Sequence, residues 1–406
     1  MRTIVFIDTN KSGSSREAIK AAERLGYLTV LFTKKKRFLT QRTEFPDVHQ
    51  MYYVNKMEIN LLKEKIHFLQ RQGKQIVAVL SFVDPFVQIA AQLSALYCDS
   101  LFDIHAISKM EDKIQTRKAL EGLSLSPFYT VINRNVNKAV HLTKYNSSLP
   151  LIVKAPISTG SKDVLYVEDQ RQLLKAVQTI KDKYRNQPVL LEEFLDGPQF
   201  LLEVLVQNGK GHLVAVIEQE ISKLDRFIVT GYGLLATVEK NLKESLEYVV
   251  DTVVKAFNMQ NGTFHLELKY VNHQWKLIEI NPRISGGVMN RLIEEAYGIN
   301  LVEETIQLYT GQTASLRKQH SKFVYAHYMV VNSKGRLRKV TGKQRALRHA
   351  GVEEVYIKPR KGAFLTPPLS MGHRCGYVLA SADTLTEAKK IAQNAAKEIH
   401  FHLEQI

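Results

Sequence analysis

A chain of 406 residues, 45% hydrophobic and 24% charged, is long enough for two or three cores and has the composition of an ordered globular protein. No apolar run reaches the length of a membrane span, the Met1–Asp8 start is too short for a signal-peptide core, and two cysteines argue against a disulfide framework; a cytoplasmic protein is expected. The formal charge of +16 owes much to Lys34–Arg37 and Arg336–Arg348, but aromatic residues do not interleave with either cluster, so solvated basic loops are preferred to a nucleic-acid surface.

Along the chain, apolar residues 3–7 predict a strand, 14–25 an amphipathic helix, 28–32 a strand, 57–72 a helix, 76–81 a strand and 85–97 a helix. That alternation implies a parallel sheet covered on both faces. The turn from Asp8 to Ser15 has a single glycine and is not the dinucleotide fingerprint. Ligands of such sheets lie beyond the strand ends, which points to Ser12–Ser14 and to residues 81–85, including Ser81 and Asp84. Residues 106–121 read as one helix carrying Lys113 and Arg117, broken at Gly122–Pro127. Strand 150–155, a small-residue loop, strand 163–167 and helix 168–185 follow, then strands 188–192, 200–206 and 212–220 and helix 240–257. After residue 320 a further α+β segment ends in helix 384–400. The expected organisation is an α/β domain over 1–105, a small subdomain over 106–187 and a larger domain over 188–406.

Residues 262–287 carry the densest chemistry. Phe264, Leu266 and Leu268 alternate with His265, Glu267 and Lys269, and after a polar turn Lys276, Ile278 and Ile280 alternate with Leu277, Glu279 and Asn281. A hairpin folded about residue 273 sets Glu267 opposite Glu279, with Cβ atoms roughly 5 Å apart. Two carboxylates that close repel unless a cation sits between them, and Mg²⁺ with nucleotide phosphate satisfies carboxylate and amide oxygens. Arg283 follows Pro282 and can present its donors to the same phosphate. Upstream, Lys154 ends a buried strand just before a loop of Ser158, Thr159, Gly160 and Ser161, whose amides and hydroxyls suit triphosphate oxygens.

Glu267, then Glu279-Ile280-Asn281-Pro282-Arg283 and Ser285-Gly286-Gly287, resemble the metal-binding end of the ATP-grasp carboxylate–amine ligases. Lys113, Lys154 and the stretch Leu190–Gly197 follow the order of that family's nucleotide site. The resemblance implies the ATP-grasp fold, α/β and α+β, with an N-terminal Rossmann-like parallel-sheet domain. It implies Glu267, Glu279 and Asn281 as ligands of Mg²⁺, with Mn²⁺ as a substitute, and Arg283 as the catalytic cation on the transferred phosphoryl group. It implies ATP contacts from Lys113, Lys154, the loop Ser158, Thr159, Gly160 and Ser161, and Glu192, Glu193, Leu195 and Gln199. Gln199 departs from the Glu common in the family, which leaves its contact in doubt.

Within the family, the Asn-Pro-Arg-Ile-Ser-Gly-Gly run and the C-terminal Gly376–Ala388 segment look most like the L-amino-acid ligases of bacilli, with features of the arginine-preferring ligase of rhizocticin assembly. That likeness implies ATP-dependent joining of two amino acids through an acyl phosphate, with ADP and phosphate released, in dipeptide antibiotic synthesis. Ser81, Asp84, His265, Arg283, Gly286 and Gly287 are the substrate-binding candidates. The chemistry needs cations, metal ligands and a closing flap rather than a side-chain nucleophile. Amino acids are the expected partners, membrane and nucleic acid are not, and homodimerisation stays open. The alternatives are a purine-pathway or carboxylase-type ligase, or a basic nucleic-acid-binding protein that keeps the fold without catalysis.

Overall fold

A computed structural model of the chain describes residues 1–99, 101–133, 142–158, 163–223 and 227–404. Strands Arg2–Ile7, Leu28–Thr33, Gln50–Tyr53 and Gln75–Leu80 form a parallel sheet in which Arg2–Ile7 lies between Leu28–Thr33 and Gln75–Leu80. Side chains of Arg2–Ile7 alternate between two cores. Ile4 and Phe6 pack with the helix Ser14–Arg24, and Val5 and Ile7 with the helix Ile59–Arg71. The strand needs no polar face because both sides are covered.

Tyr129–Ile132, Val189–Glu193, Leu151–Lys154 and Val164–Val167 build a second, antiparallel sheet in that spatial order. Leu151, Val153, Val189 and Leu191 pack on the helix Gln170–Lys183, which turns Lys154 and Glu192 to the opposite face. The largest sheet has eight strands, running from Gln274–Asn281 through Gly262–Val271, Gln199–Gln207, Lys210–Lys223 and Phe227–Leu234 to Phe323–Met329, Gly376–Ala382 and Val352–Ile357. Phe264, Leu266 and Leu268 bury one of its faces against the helix Lys240–Phe257.

One expectation needs correction. The helix expected over 106–121 is two helices, Ile104–Glu111 and Lys113–Ala119, separated at Asp112. The Asp112 carboxylate caps the second helix, accepting from the amides of Ile114 at 2.8 Å and Gln115 at 3.2 Å, so the aspartate restarts the helix in a new direction. The α+β segment after residue 320 supplies three strands that complete the eight-stranded sheet. Its last residues add an unanticipated strand, His400–Glu404, in a small sheet with Gly335–Thr341 and Phe364–Leu365. No helix among the described residues is long and apolar enough to cross a membrane.

Candidate active site

The hairpin Gly262–Val271/Gln274–Asn281 pairs Glu267 with Glu279 and His265 with Asn281. Its turn residues Asn272 and His273 both have positive φ, 50° and 62°, the two-residue turn that suits strand twist. That turn alone would set Glu267 opposite Ile278. A bulge between Glu267 and Leu268 leaves Ile278 as the extra residue and restores the Glu267–Glu279 pair. Burial first, then the Glu279 charge, pushes the Glu267 carboxyl up to about 7. The Lys113 ammonium lies 3.3 Å from Glu279 and donates to the Ser158 carbonyl at 3.0 Å.

Among the described residues no trio of His, Cys, Asp and Glu converges on one point. The set here is two carboxylates and one amide, so phosphate oxygens or water would complete a cation's shell. The mutual repulsion of Glu267 and Glu279 is the feature a divalent cation fits, and Glu267, Glu279 and Asn281 are the residues that would hold it.

His265 fixes how Asn281 presents its amide. His265 Nδ1 lies 3.0 Å from the Arg283 carbonyl, which can only accept, so Nδ1 carries the proton. Nε2 therefore accepts from Asn281 Nδ2 at 3.1 Å, and the Asn281 oxygen is left for other partners. Burial, and then the Arg283 charge, lower the His265 pKa to about 4, so the ring is neutral at ordinary pH.

The other cations are tightly held. Glu192 bridges Lys154 at 2.5 Å and Arg117 at 2.7 Å, and Arg117 continues to the Ile278 carbonyl at 2.8 Å, the residue extruded by the bulge. Burial pushes the Glu192 carboxyl up, but these two cations outweigh it and hold it below the usual carboxylate range. Arg283 donates through Nε to Asp84 at 2.9 Å and through Nη2 to the other Asp84 oxygen, while Nη1 reaches the Ile284 carbonyl at 2.9 Å. Burial would raise the Asp84 pKa; the Arg283 hydrogen bonds and charge reverse it. Glu111 stands nearby, its carboxyl pushed up to about 7 by burial.

Beneath the turn after Arg283, the fully buried Glu203 accepts from the Ser285 amide at 3.1 Å, and burial pushes its carboxyl up to about 8. The N-terminal sheet meets the same turn. Ser14 donates to the Ser285 carbonyl at 2.6 Å, and a Cβ on Gly13, which has φ +80°, would lie 2.8 Å from the Gly287 amide nitrogen. No other residue fits so close an approach.

Comparison with known proteins agrees with this architecture. Residues 147–291 match the ATP-grasp domain family, and residues 327–404 match L-amino acid ligase C-terminal domain 2. The chain carries an ATP-grasp domain and an L-amino acid ligase C-terminal domain. Relatives include an uncharacterized protein, y4rH, of Sinorhizobium fredii, 27% identical over 63% of this chain and 53% of its own length. The L-arginine-specific L-amino acid ligase of Bacillus subtilis is 22% identical over 71% of each chain. The chain thus spans about half of the first relative and most of the second. In three dimensions, the crystal structure of an L-amino acid ligase from Bacillus licheniformis superposes with a TM-score of 0.84 at 21% identity, covering 100% of this chain and 99% of that one, which shows a shared fold.

Around this ATP-grasp domain the candidate residues divide into groups. Lys113, Lys154, Glu192, Gln199, Glu267, Glu279, Asn281, His265, Arg283 and Asp84 are linked by the contacts above or by those of Gln199. Gln199 Nε2 donates to Gln219 at 2.9 Å and to Glu267 at 3.4 Å, so an amide stands where a glutamate would add a third acid beside the pair. The Glu193 carboxylate accepts from the Phe128 amide at 2.8 Å, and the Leu195 carbonyl accepts from Lys269 at 2.9 Å. Ser81 donates to the Ile7 carbonyl at 2.8 Å and shapes the turn that delivers Asp84. Gly286 and Gly287 are exposed beside the N-terminal sheet. Ser158 is described, whereas Thr159, Gly160 and Ser161 lie outside the described residues.

Sequence reading gave no role to Arg117 or Glu203. A signal existed for each. Arg117 stands four residues after Lys113, one helical turn along the same face. Glu203 interrupts the apolar run Phe200–Val206, where an unpaired acid is costly without a purpose.

Proposed function

We propose that the enzyme joins two amino acids by an amide bond through an acyl phosphate, releasing ADP and phosphate. The observation that carries this reading is the convergence of the Lys113, Lys154 and Arg283 charges on the opposed Glu267 and Glu279, a charge-neutralising site with no activated side-chain nucleophile among the described residues. A donor carboxylate oxygen attacks the γ-phosphorus and ADP leaves. The neutral amine of the acceptor then attacks the acyl carbon, phosphate departs and the nitrogen loses a proton. Lys113 and Lys154 bind phosphate oxygens, and Arg283, held rigid by Asp84, offers its remaining donors to the transferred group. Mg²⁺, when bound with ATP, supplies further charge neutralisation of the phosphates.

The loop at residues 81–85, which reaches Arg283 through Asp84, is proposed to shape the donor pocket. The ligase C-terminal domain over 327–404 and the Bacillus subtilis relative favour unprotected amino acids over phosphorylated or bicarbonate substrates. Two unpaired cysteines, Cys98 and Cys375, suit a reducing cytoplasm. The test is ADP and phosphate release with Mg²⁺-ATP across the twenty amino acids, singly and in pairs. AMP and pyrophosphate as products would overturn the acyl phosphate. ADP release driven only by bicarbonate or a ribonucleotide would favour the carboxylase or purine-pathway reading.

A further inference from the structure

Four of the cations named in the site have an acid in contact: Lys113 has Glu279, Lys154 and Arg117 share Glu192, and Arg283 has Asp84. Arg374, just before the strand Gly376–Ala382, has none among the described residues. Its Nε donates to the Met371 carbonyl at 3.2 Å and its Nη1 to the Val229 carbonyl at 3.3 Å. The guanidinium carbon sits 3.6 Å from the Tyr328 ring centroid and 5.8 Å from that of Tyr232. Aromatic faces hold a cation in place without neutralising it. A second cation, Lys358, lies close enough for the Arg374 charge to act on it, and its own bond goes to the Gly372 carbonyl. Two neighbouring positive charges without an acid make a place for an anion.

The position ties this place to the reacting centre. The Tyr328 hydroxyl lies 3.2 Å from where a Cβ on Gly287 would stand, and Gly287 is in the exposed turn that begins at Arg283. Contacts therefore run from the proposed phosphoryl cation, along Gly286 and Gly287, to Tyr328 and then to the stacked guanidinium. We propose that Arg374 binds the α-carboxylate of the acceptor amino acid. This rests on the amino-acid ligase reading. The donor's carboxylate is consumed at the γ-phosphorus, so the acceptor's carboxylate is the one that persists through the reaction and needs a cation of its own. Recognition by backbone carboxylate would also let the acceptor side chain vary.

The experiment compares wild type, Arg374→Gln and Arg374→Lys on a donor from the amino-acid screen. Three acceptors are used: an accepted amino acid, its carboxamide, and hydroxylamine, which traps the acyl phosphate as a hydroxamate and has no carboxylate. Arg374→Gln should raise the KM for the free amino acid about ten- to a hundredfold, the range for one charge-assisted contact. The preference of wild type for acid over amide should vanish with it, Arg374→Lys should restore part of both, and hydroxamate formation should stay within about threefold. An unchanged acid-to-amide preference in Arg374→Gln overturns the proposal, as does an equal loss of hydroxamate, which would mark a purely structural role. Absence of hydroxamate from wild type with every amino acid would instead overturn the ligase reading, and this assignment with it.

Discussion

Arg283 and Asp84 are 199 residues apart, yet both oxygens of Asp84 accept from the one guanidinium, through Nε at 2.9 Å and through Nη2. The contact joins the N-terminal sheet to the turn that begins at Arg283 and aims the proposed phosphoryl cation. A planar fork makes this pair of bonds and an ammonium cannot. Arg283→Lys should therefore lower kcat nearly as far as Arg283→Ala, by about two orders of magnitude or more. Asp84→Ala should cost about tenfold in kcat with the ATP KM within about threefold. Steady-state kinetics decide it, and wild-type rates in Arg283→Lys would show that charge alone matters.

The two glutamates that face lysines should behave differently when neutralised. Glu192 holds two cations with side-chain exposures of 4% and 1%, so Glu192→Gln leaves buried charge uncompensated and should cost about 3–5 kcal/mol of stability. Glu279 is repelled by Glu267 and its side chain is 22% exposed, so Glu279→Gln should change stability by less than about 1 kcal/mol while lowering kcat by about two orders of magnitude. Urea unfolding set beside turnover separates the two cases. Equal destabilisation would mean that the Lys113–Glu279 ion pair outweighs the repulsion between Glu267 and Glu279.

Glu203 gives a pH dependence with a definite sign. Its folded pKa of about 8 lies above the unfolded value of roughly 4.3, so the folded state holds the proton more tightly. Its contribution is fully present below about pH 4.3 and is lost as pH rises to about 8. Glu203→Gln keeps an acceptor for the Ser285 amide and never ionises. The variant should gain on wild type between pH 6 and 8, by up to about 1.4 kcal/mol per pH unit, as read from denaturant unfolding. A constant difference across that window would place the wild-type carboxyl in its ionised form.

His265 should act as a neutral orienting group. With its pKa near 4, its ring signals in NMR should not titrate between pH 6 and 8. His265→Ala frees the Asn281 amide to rotate and should weaken Mn²⁺ binding in the presence of ATP by about ten- to a hundredfold, measured by calorimetry or by paramagnetic relaxation. Unaltered Mn²⁺ affinity would show that the Asn281 orientation has another source.

Much of the protein was legible in its sequence because the signals are local. The alternation of Phe264, Leu266 and Leu268 with His265, Glu267 and Lys269 needs only one buried and one polar face, and the structure has that hairpin. The strand–helix order of the first hundred residues likewise fixes a parallel sheet, since Arg2–Ile7, Leu28–Thr33 and Gln75–Leu80 are largely apolar on both sides, whereas the half-buried edge strand Gln50–Tyr53 gave no such signal. What distance in the chain separates, the sequence could not join. Whether Arg283 meets Asp84, whether Glu192 serves Lys154 and Arg117, and which way the Asn281 amide points are set by how three sheets pack together. The register of Glu267 with Glu279 shows both parts. The pairing could be counted from the residues, but the count succeeds only because a bulge at Ile278, stabilised by a bond from Arg117, offsets the two-residue turn. Buried charge is the most tertiary of these properties: an acid or a guanidinium reads the same on paper whether it faces water or a partner, and only packing decides what that charge must meet.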